Sequence, residues 1–138
     1  MTAASVEELD ALATLELPSG LVGVPEAQRF ALTRWGGEDS PYALMRALDA
    51  EGLEFVVVPP SVFFPDYAPV VDDDLVEHLE LRDADDAVVL VIVTVADPVE
   101  RSTVNLLGPI VVNRHTHRAA QAVLSPDDHD ARQPLVRS

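Results

Sequence analysis

Hydrophobic positions along this chain fall into short runs broken by Pro, Gly or acids, and most runs have the length of strands rather than helices. The longest, Ala87-Val-Val-Leu-Val-Ile-Val-Thr-Val-Ala96, is β-branched through its middle and lies between Asp85-Asp86 and Asp97-Pro98. It predicts the central strand, where each fully buried Val, Leu or Ile contributes roughly 1.5–3 kcal/mol. Phe30–Trp35 predicts another strand, followed by a loop over Gly36–Asp39. Phe55–Val58 predicts a buried one stopped by Pro59-Pro60. Ser102–Leu107, Pro109–Asn113 and Ala119–Leu124 predict three more. Leu17–Pro25 holds two Gly and three other turn formers and reads as a turn-rich connection.

Two segments carry helix signals. Asp72 or Asp73 can cap a short helix that turns Leu75, Val76 and Leu79 inward, with acids near its positive end. In Ser40-Pro41-Tyr-Ala-Leu-Met-Arg-Ala-Leu48, Ser at the N-cap and Pro at the first helical position lean towards a helix, although Tyr42, Leu44 and Leu48 also fit strand alternation. Ser5 and Glu8 fit a capping box, so residues 1–16 read as a lead-in that forms a short helix or part of a first hairpin. Short strands with closely spaced turns leave no room for helical crossovers and imply antiparallel pairing. The prediction is a mainly β protein, a compact antiparallel barrel-like domain or sandwich over 17–135 with one or two short helices. Residues 136–138 are a tail, and the polar stretch from Ser125 frays except where Pro134-Leu135 docks.

Composition narrows the function classes. A chain of 138 residues with 48% hydrophobic residues has enough apolar material for one core. There is no cysteine, which excludes disulfides, thiolate metal sites and thiol nucleophiles. The first twelve residues carry acids where a signal peptide carries bases, and no apolar run approaches a membrane span, so the expected location is cytoplasmic. Against 24 acids stand 9 basic residues, for a net charge of −15. Such a surface repels phosphate backbones and attracts a basic protein partner. The acids concentrate between Pro65 and Asp86: Asp66, Asp72, Asp73, Asp74, Glu77, Glu80, Asp83, Asp85 and Asp86, against Arg82 alone.

Signatures of catalysis are absent: no nucleophile elbow, phosphate loop, dinucleotide fingerprint, zinc-protease helix or calcium loop. His115-Thr-His117 is the constellation to test. On a strand, residues two apart share a side, so both imidazoles could reach one metal with Gln121 or His78 as a third ligand, as in a small cupin-like enzyme. Arg114 and Arg118 oppose a cation there, and a polar loop between strands explains the pair as well. Asp128-His129-Asp130 reads as surface. Trp35 suits either a binding anchor or a strand-end core position.

Three segments together resemble the FliW family of flagellar assembly factors. Phe55-Val-Val-Val-Pro59 with Phe63-Phe64-Pro65-Asp66-Tyr67 is similar to its strand-Pro and Phe-x-x-Tyr pattern. Thr103-Val-Asn105-Leu106-Leu-Gly-Pro109-Ile-Val-Val-Asn113 resembles its TVNL-x-AP-I-x-x-N signature, with Gly108 in place of Ala. Gln121-Ala-Val-Leu124 is similar to its QxxL strand, with Arg132 and Pro134-Leu135 echoing the closing R-x-PL. The departures are an altered opening around Leu17–Val24 and His129 where the family has a Tyr.

The resemblance implies a β-barrel-like fold, cytoplasmic residence, no catalysis, no cofactor, and two protein partners for an expected monomer: flagellin and the RNA-binding translational repressor CsrA. In the scheme the resemblance implies, the factor freed when secretion removes flagellin would bind CsrA and lift repression of flagellin synthesis. The residues then take candidate roles. Asn105 and Asn113 can cap strands or present amides to a partner. Phe64, Asp66 and Tyr67 suit an interface anchor or burial of the rings. Asp72, Asp73, Asp74, Glu77 and Glu80, held against an RNA-binding protein, would repel RNA within a Debye length of roughly 8 Å.

Overall fold

Residues 13–36, 40–96, 101–127 and 129–134 are described by a computed structural model of the chain. Within them the strands are β1 (Thr14–Glu16), β2 (Arg29–Arg34), β3 (Ala43–Ala47), β4 (Glu54–Val58), β5 (Ala87–Thr94), β6 (Thr103–Val104), β7 (Ile110–Asn113), β8 (Ala119–Gln121) and β9 (Gln133–Pro134). One helix, α1 (Asp73–His78), and 3-10 turns at Pro60–Val62 and Ala84–Asp86 lie between β4 and β5. The strand ladders are antiparallel, as the short connections require.

Pairing runs β1-β2-β3-β4-β5, then passes to β7 and β8. A single parallel bridge between Glu16 and Arg118 brings β8 back to β1, with the Glu16 amide donating to the His117 carbonyl at 3.0 Å. The sheet thus curls into a nearly closed barrel. β5 makes this possible because it is long enough to serve several neighbours. Its first half pairs with β7 and its second with β4, while Val93 and Thr94 also hold β6, which carries β9.

Strand alternation decides what each residue of β5 touches. Val88 and Leu90 point into the barrel with Phe30, Met45, Val57 and Ile110. On the other face Ala87 lies under Leu79 and Leu75, whereas Val91 and Val93 pack beneath Phe64 and Val58. Both faces are covered, which is why this strand reads as a continuous apolar run with no polar alternation.

Residues 43–47 overturn the helix leaning. Ala43, Met45 and Ala47 face the core, and Leu44 and Arg46 face out, the opposite parity to an alternation through Tyr42, Leu44 and Leu48. Leu48 is 56% exposed. β3 has a partner strand on each edge, with Met45 opposite both Leu32 and Phe55, and those ladders outweigh a local helix start. Ser40, the expected N-cap, instead donates its hydroxyl to the Trp35 carbonyl at 2.6 Å and accepts from the Tyr42 amide.

Other expectations shift at their ends. The Ser5–Glu8 capping box lies outside the described residues, and β1 falls at the end of the lead-in segment. The strand expected over Ser102–Leu107 shrinks to β6 because Asn105 bends the chain. The stretch after Ser125 is docked further than expected: the Leu106 amide donates to the Asp130 carbonyl at 3.0 Å, and β9 pairs with β6.

Candidate partner-binding face

The acidic stretch forms α1 because its sequence supplies both ends of a short helix. Asp72 is the N-cap, its carboxylate accepting from the Leu75 amide at 2.9 Å, and Asp73 and Asp74 sit in the first turn, where the helix dipole favours negative charge. At the other end the Glu80 amide donates to the Glu77 carbonyl and the Leu81 amide to that of Val76. This is a Schellman ending, and it puts Glu80 at φ 57°, a conformation usually left to Gly. Leu79 is 1% exposed and anchors the helix on Ala87, Val111 and Ala120. Asp72, Asp73, Asp74, Glu77 and Glu80 all face solvent.

Asn113 fastens this helix from below. Only 3% exposed, it donates its side-chain amide to the Leu79 carbonyl at 2.8 Å. Its side-chain oxygen accepts from the amides of His115 and Thr116, which shapes the β7–β8 turn. Asn105 does similar work at the β6–β7 bend, accepting from the Leu107 and Gly108 amides at 3.1 and 2.9 Å. Both side chains are thus engaged in hydrogen bonds within the chain.

The histidine pair does not adopt the geometry a shared metal requires. His115 and His117 lie in the turn rather than on a strand, and His117 has φ 64°. His115 Nε2 instead meets Asp86 Oδ1 at 2.9 Å. Asp86 also accepts from the Arg82 and Asp83 amides, and the Arg82 contact, ahead of His115, holds its carboxyl below the ordinary carboxylate value. Among the described residues, no three His, Asp or Glu side chains converge as metal ligands.

Phe64 is 5% exposed, and Tyr67 is half-buried with its hydroxyl donating to the Leu106 carbonyl at 2.6 Å. Burial pushes the Tyr67 phenol above the ordinary tyrosine range. Both rings therefore seat the loop on β6, and Asp66 is the member of the trio that faces solvent. His129 packs edge-on against Tyr67 with ring centres 5.4 Å apart, so it belongs to the docked C-terminal stretch and not to bare surface. Trp35 is 45% exposed at the end of β2, edge-on to Tyr42.

Between α1 and the stretch that follows β8 runs a groove of 610 Å³. Asp72, Asp74 and Leu75 line it from α1, Val123 and Leu124 from the stretch after β8, and Val70 also lines it. Val70 is 85% and Val123 73% exposed. An acidic helix therefore sits beside uncovered aliphatic surface, a combination suited to protein binding.

The description "FliW protein" belongs to the family model that matches residues 2–135. The flagellar assembly factor FliW of Bacillus licheniformis is 38% identical over 122 residues, spanning 88% of this chain and 85% of that protein. That of Bacillus subtilis is 37% identical, spanning 85% of this chain and 81% of its own, and that of Treponema denticola 35%, spanning 80% and 74%. A crystal structure of the flagellar assembly factor FliW superposes with a TM-score of 0.84 at 28% identity, covering 91% of this chain and 87% of the other. The chain belongs to the FliW family.

The FliW signature segment acquires a physical meaning here. Thr103–Asn113 holds β6, the Asn105 bend and β7, and Gln121 ties that bend to the opposite loop. Its amide donates to the Gly108 carbonyl at 3.0 Å and its oxygen accepts from the Val22 amide at 2.8 Å. A Cβ on Gly108 would lie 2.8 Å from the Gln121 amide nitrogen, so Gly in this FliW chain lets that amide approach, and the Ala of the resemblance pattern would shift the end of the Gln121 side chain. Gln121, Val70 and Val123 were missed as parts of a surface. Nothing local marks them, because the groove exists only once α1 and β8 are packed.

Proposed function

We propose that this chain is a cytoplasmic, non-enzymatic flagellar assembly factor that binds flagellin and, when free of it, binds the CsrA-type RNA-binding repressor and relieves repression of flagellin synthesis. Membership of the FliW family over nearly the whole chain carries the reading. The solvent-facing acids of α1 support it, since a protein that handles RNA offers basic surface for them to meet. In this reading Asp72, Asp73, Asp74, Glu77 and Glu80, with Asp66 nearby in sequence, face the repressor and repel its RNA. Phe64, Tyr67, Asn105 and Asn113 hold the face in shape.

A titration with flagellin and with the repressor from the same organism tests both contacts. The electrostatic part needs variants that spare the cap, so Asp72 is left in place. Reversing Asp74 and Glu77 to Arg should leave the circular dichroism spectrum unchanged and weaken displacement of RNA from the repressor at matched salt. Displacement equal to wild type would remove the acids from the mechanism, and absence of both binding events would remove the function itself.

A further inference from the structure

The main chain beside the groove has an edge to offer. The Ala122 and Leu124 amides donate to the Pro109 and Leu107 carbonyls at 2.8 Å each, which continues the β7–β8 ladder past the end of β8. In an extended strand neighbouring residues direct their N–H and C=O groups to opposite edges, so those of Gln121 and Val123 point away from β7. Among the described residues no main-chain hydrogen bond reaches Val123. Barrel closure does not cover this edge, because β1 bridges only to Arg118, just before β8, and the chain then turns off at Leu17–Gly20, where the Gly20 amide donates to the Leu17 carbonyl at 2.8 Å. The result is a short open strand edge with a 73% exposed Val on it, running along a groove that Asp72 and Asp74 also line.

We propose that this groove takes an extended segment of a partner protein, with alternating basic and aliphatic side chains, as an added strand on the Gln121–Val123 edge. Main-chain hydrogen bonds to an open edge supply affinity without regard to sequence, and side chains at every second position supply selection. Because side chains alternate, the aliphatic residues of such a segment would lie beside Val123, and its Arg or Lys residues would lie beside Leu124, on the face that packs against α1, and reach Asp72 and Asp74. A second copy of this chain fits poorly, since it brings a net charge of −15 to an acidic wall. The proposal rests on the protein-binding reading above, but its test needs neither of the partners named there.

The probe is a synthetic five-residue peptide of alternating Arg and Val, titrated into the isotope-labelled full chain while amide resonances are followed by NMR. Saturating shifts centred on Gln121–Leu124 and on α1 are expected. A peptide with Glu for Arg should bind at least roughly tenfold more weakly, and so should one with alternate amides N-methylated, since each lost main-chain bond approaches that factor. Val123→Pro removes the outward N–H while sparing the bonds of Ala122 and Leu124. It should give a similar loss with an unchanged thermal midpoint, and an unfolded variant would leave the N-methylated peptide to decide. Shifts elsewhere, no saturation, or indifference to N-methylation would overturn the added strand. So would shifts at Val123 that track protein concentration without peptide, which would show self-pairing. Failure here leaves flagellin and repressor binding standing, and failure of those leaves the groove standing.

Discussion

Asn113 sits where three needs meet: the last turn of α1 has a carbonyl to satisfy, the β7–β8 turn has two amides, and all lie near the core. A carboxamide donates from its nitrogen and accepts at its oxygen, which an ionised Asp or a Leu cannot do. Asn113→Ala should destabilise the protein by about 2–4 kcal/mol in a denaturant titration, since it strands buried polar groups instead of merely deleting a contact. A shift under about 0.5 kcal/mol, typical of a surface site, would mean that water satisfies the Leu79 carbonyl. Glu80 shows the opposite situation. Its left-handed backbone is imposed by the Schellman ending, and its charge is free to face solvent.

At the scale of elements, the contact between Asp86 and His115 joins the 3-10 turn before β5 to the β7–β8 turn. Because the Arg82 amide and His115 lower the Asp86 carboxyl in the folded state, the fold holds the charged form more firmly than the unfolded chain does. That contribution is complete above the ordinary value of 3.8 and fades as pH falls through the lowered one. Asp86→Asn should therefore flatten the acid side of the stability profile, seen as a smaller drop in thermal midpoint between about pH 5 and pH 3 than in the parent. An unchanged drop would assign acid sensitivity to other carboxylates. The long β5 was legible because an apolar run bounded by acids has few alternatives. β3 was not, because a Ser-Pro start is a true local helix signal, and only strands on both edges decide against it.

For the whole molecule, the charge is lopsided: the acids of α1 lie on one flank of a barrel whose interior is apolar. Long-range attraction between this flank and a basic partner should be screened by salt. Association should weaken several-fold between about 50 and 300 mM salt, mainly through a slower on-rate. Stopped-flow mixing with the repressor measures it directly, and a rate indifferent to salt would mean that apolar contacts such as those beside Val123 dominate the encounter.

The sequence by itself determined the class of fold, the central strand, the capped acidic helix and the family signature, because each is written in residues close together in the chain. Periodicity, Pro stops and capping act within a few positions, and the net charge needs no fold at all. Tertiary structure decided the rest. It chose the inward face of β3, turned Asn105 and Asn113 into internal fasteners, put His115 and His117 in a turn instead of on a strand, and docked the stretch after Ser125 against Tyr67 and β6. It also brought Val70 and Val123 to the lining of one groove. These outcomes depend on which distant segment lies opposite, and that is fixed only when the barrel curls round to bring β8 back to β1.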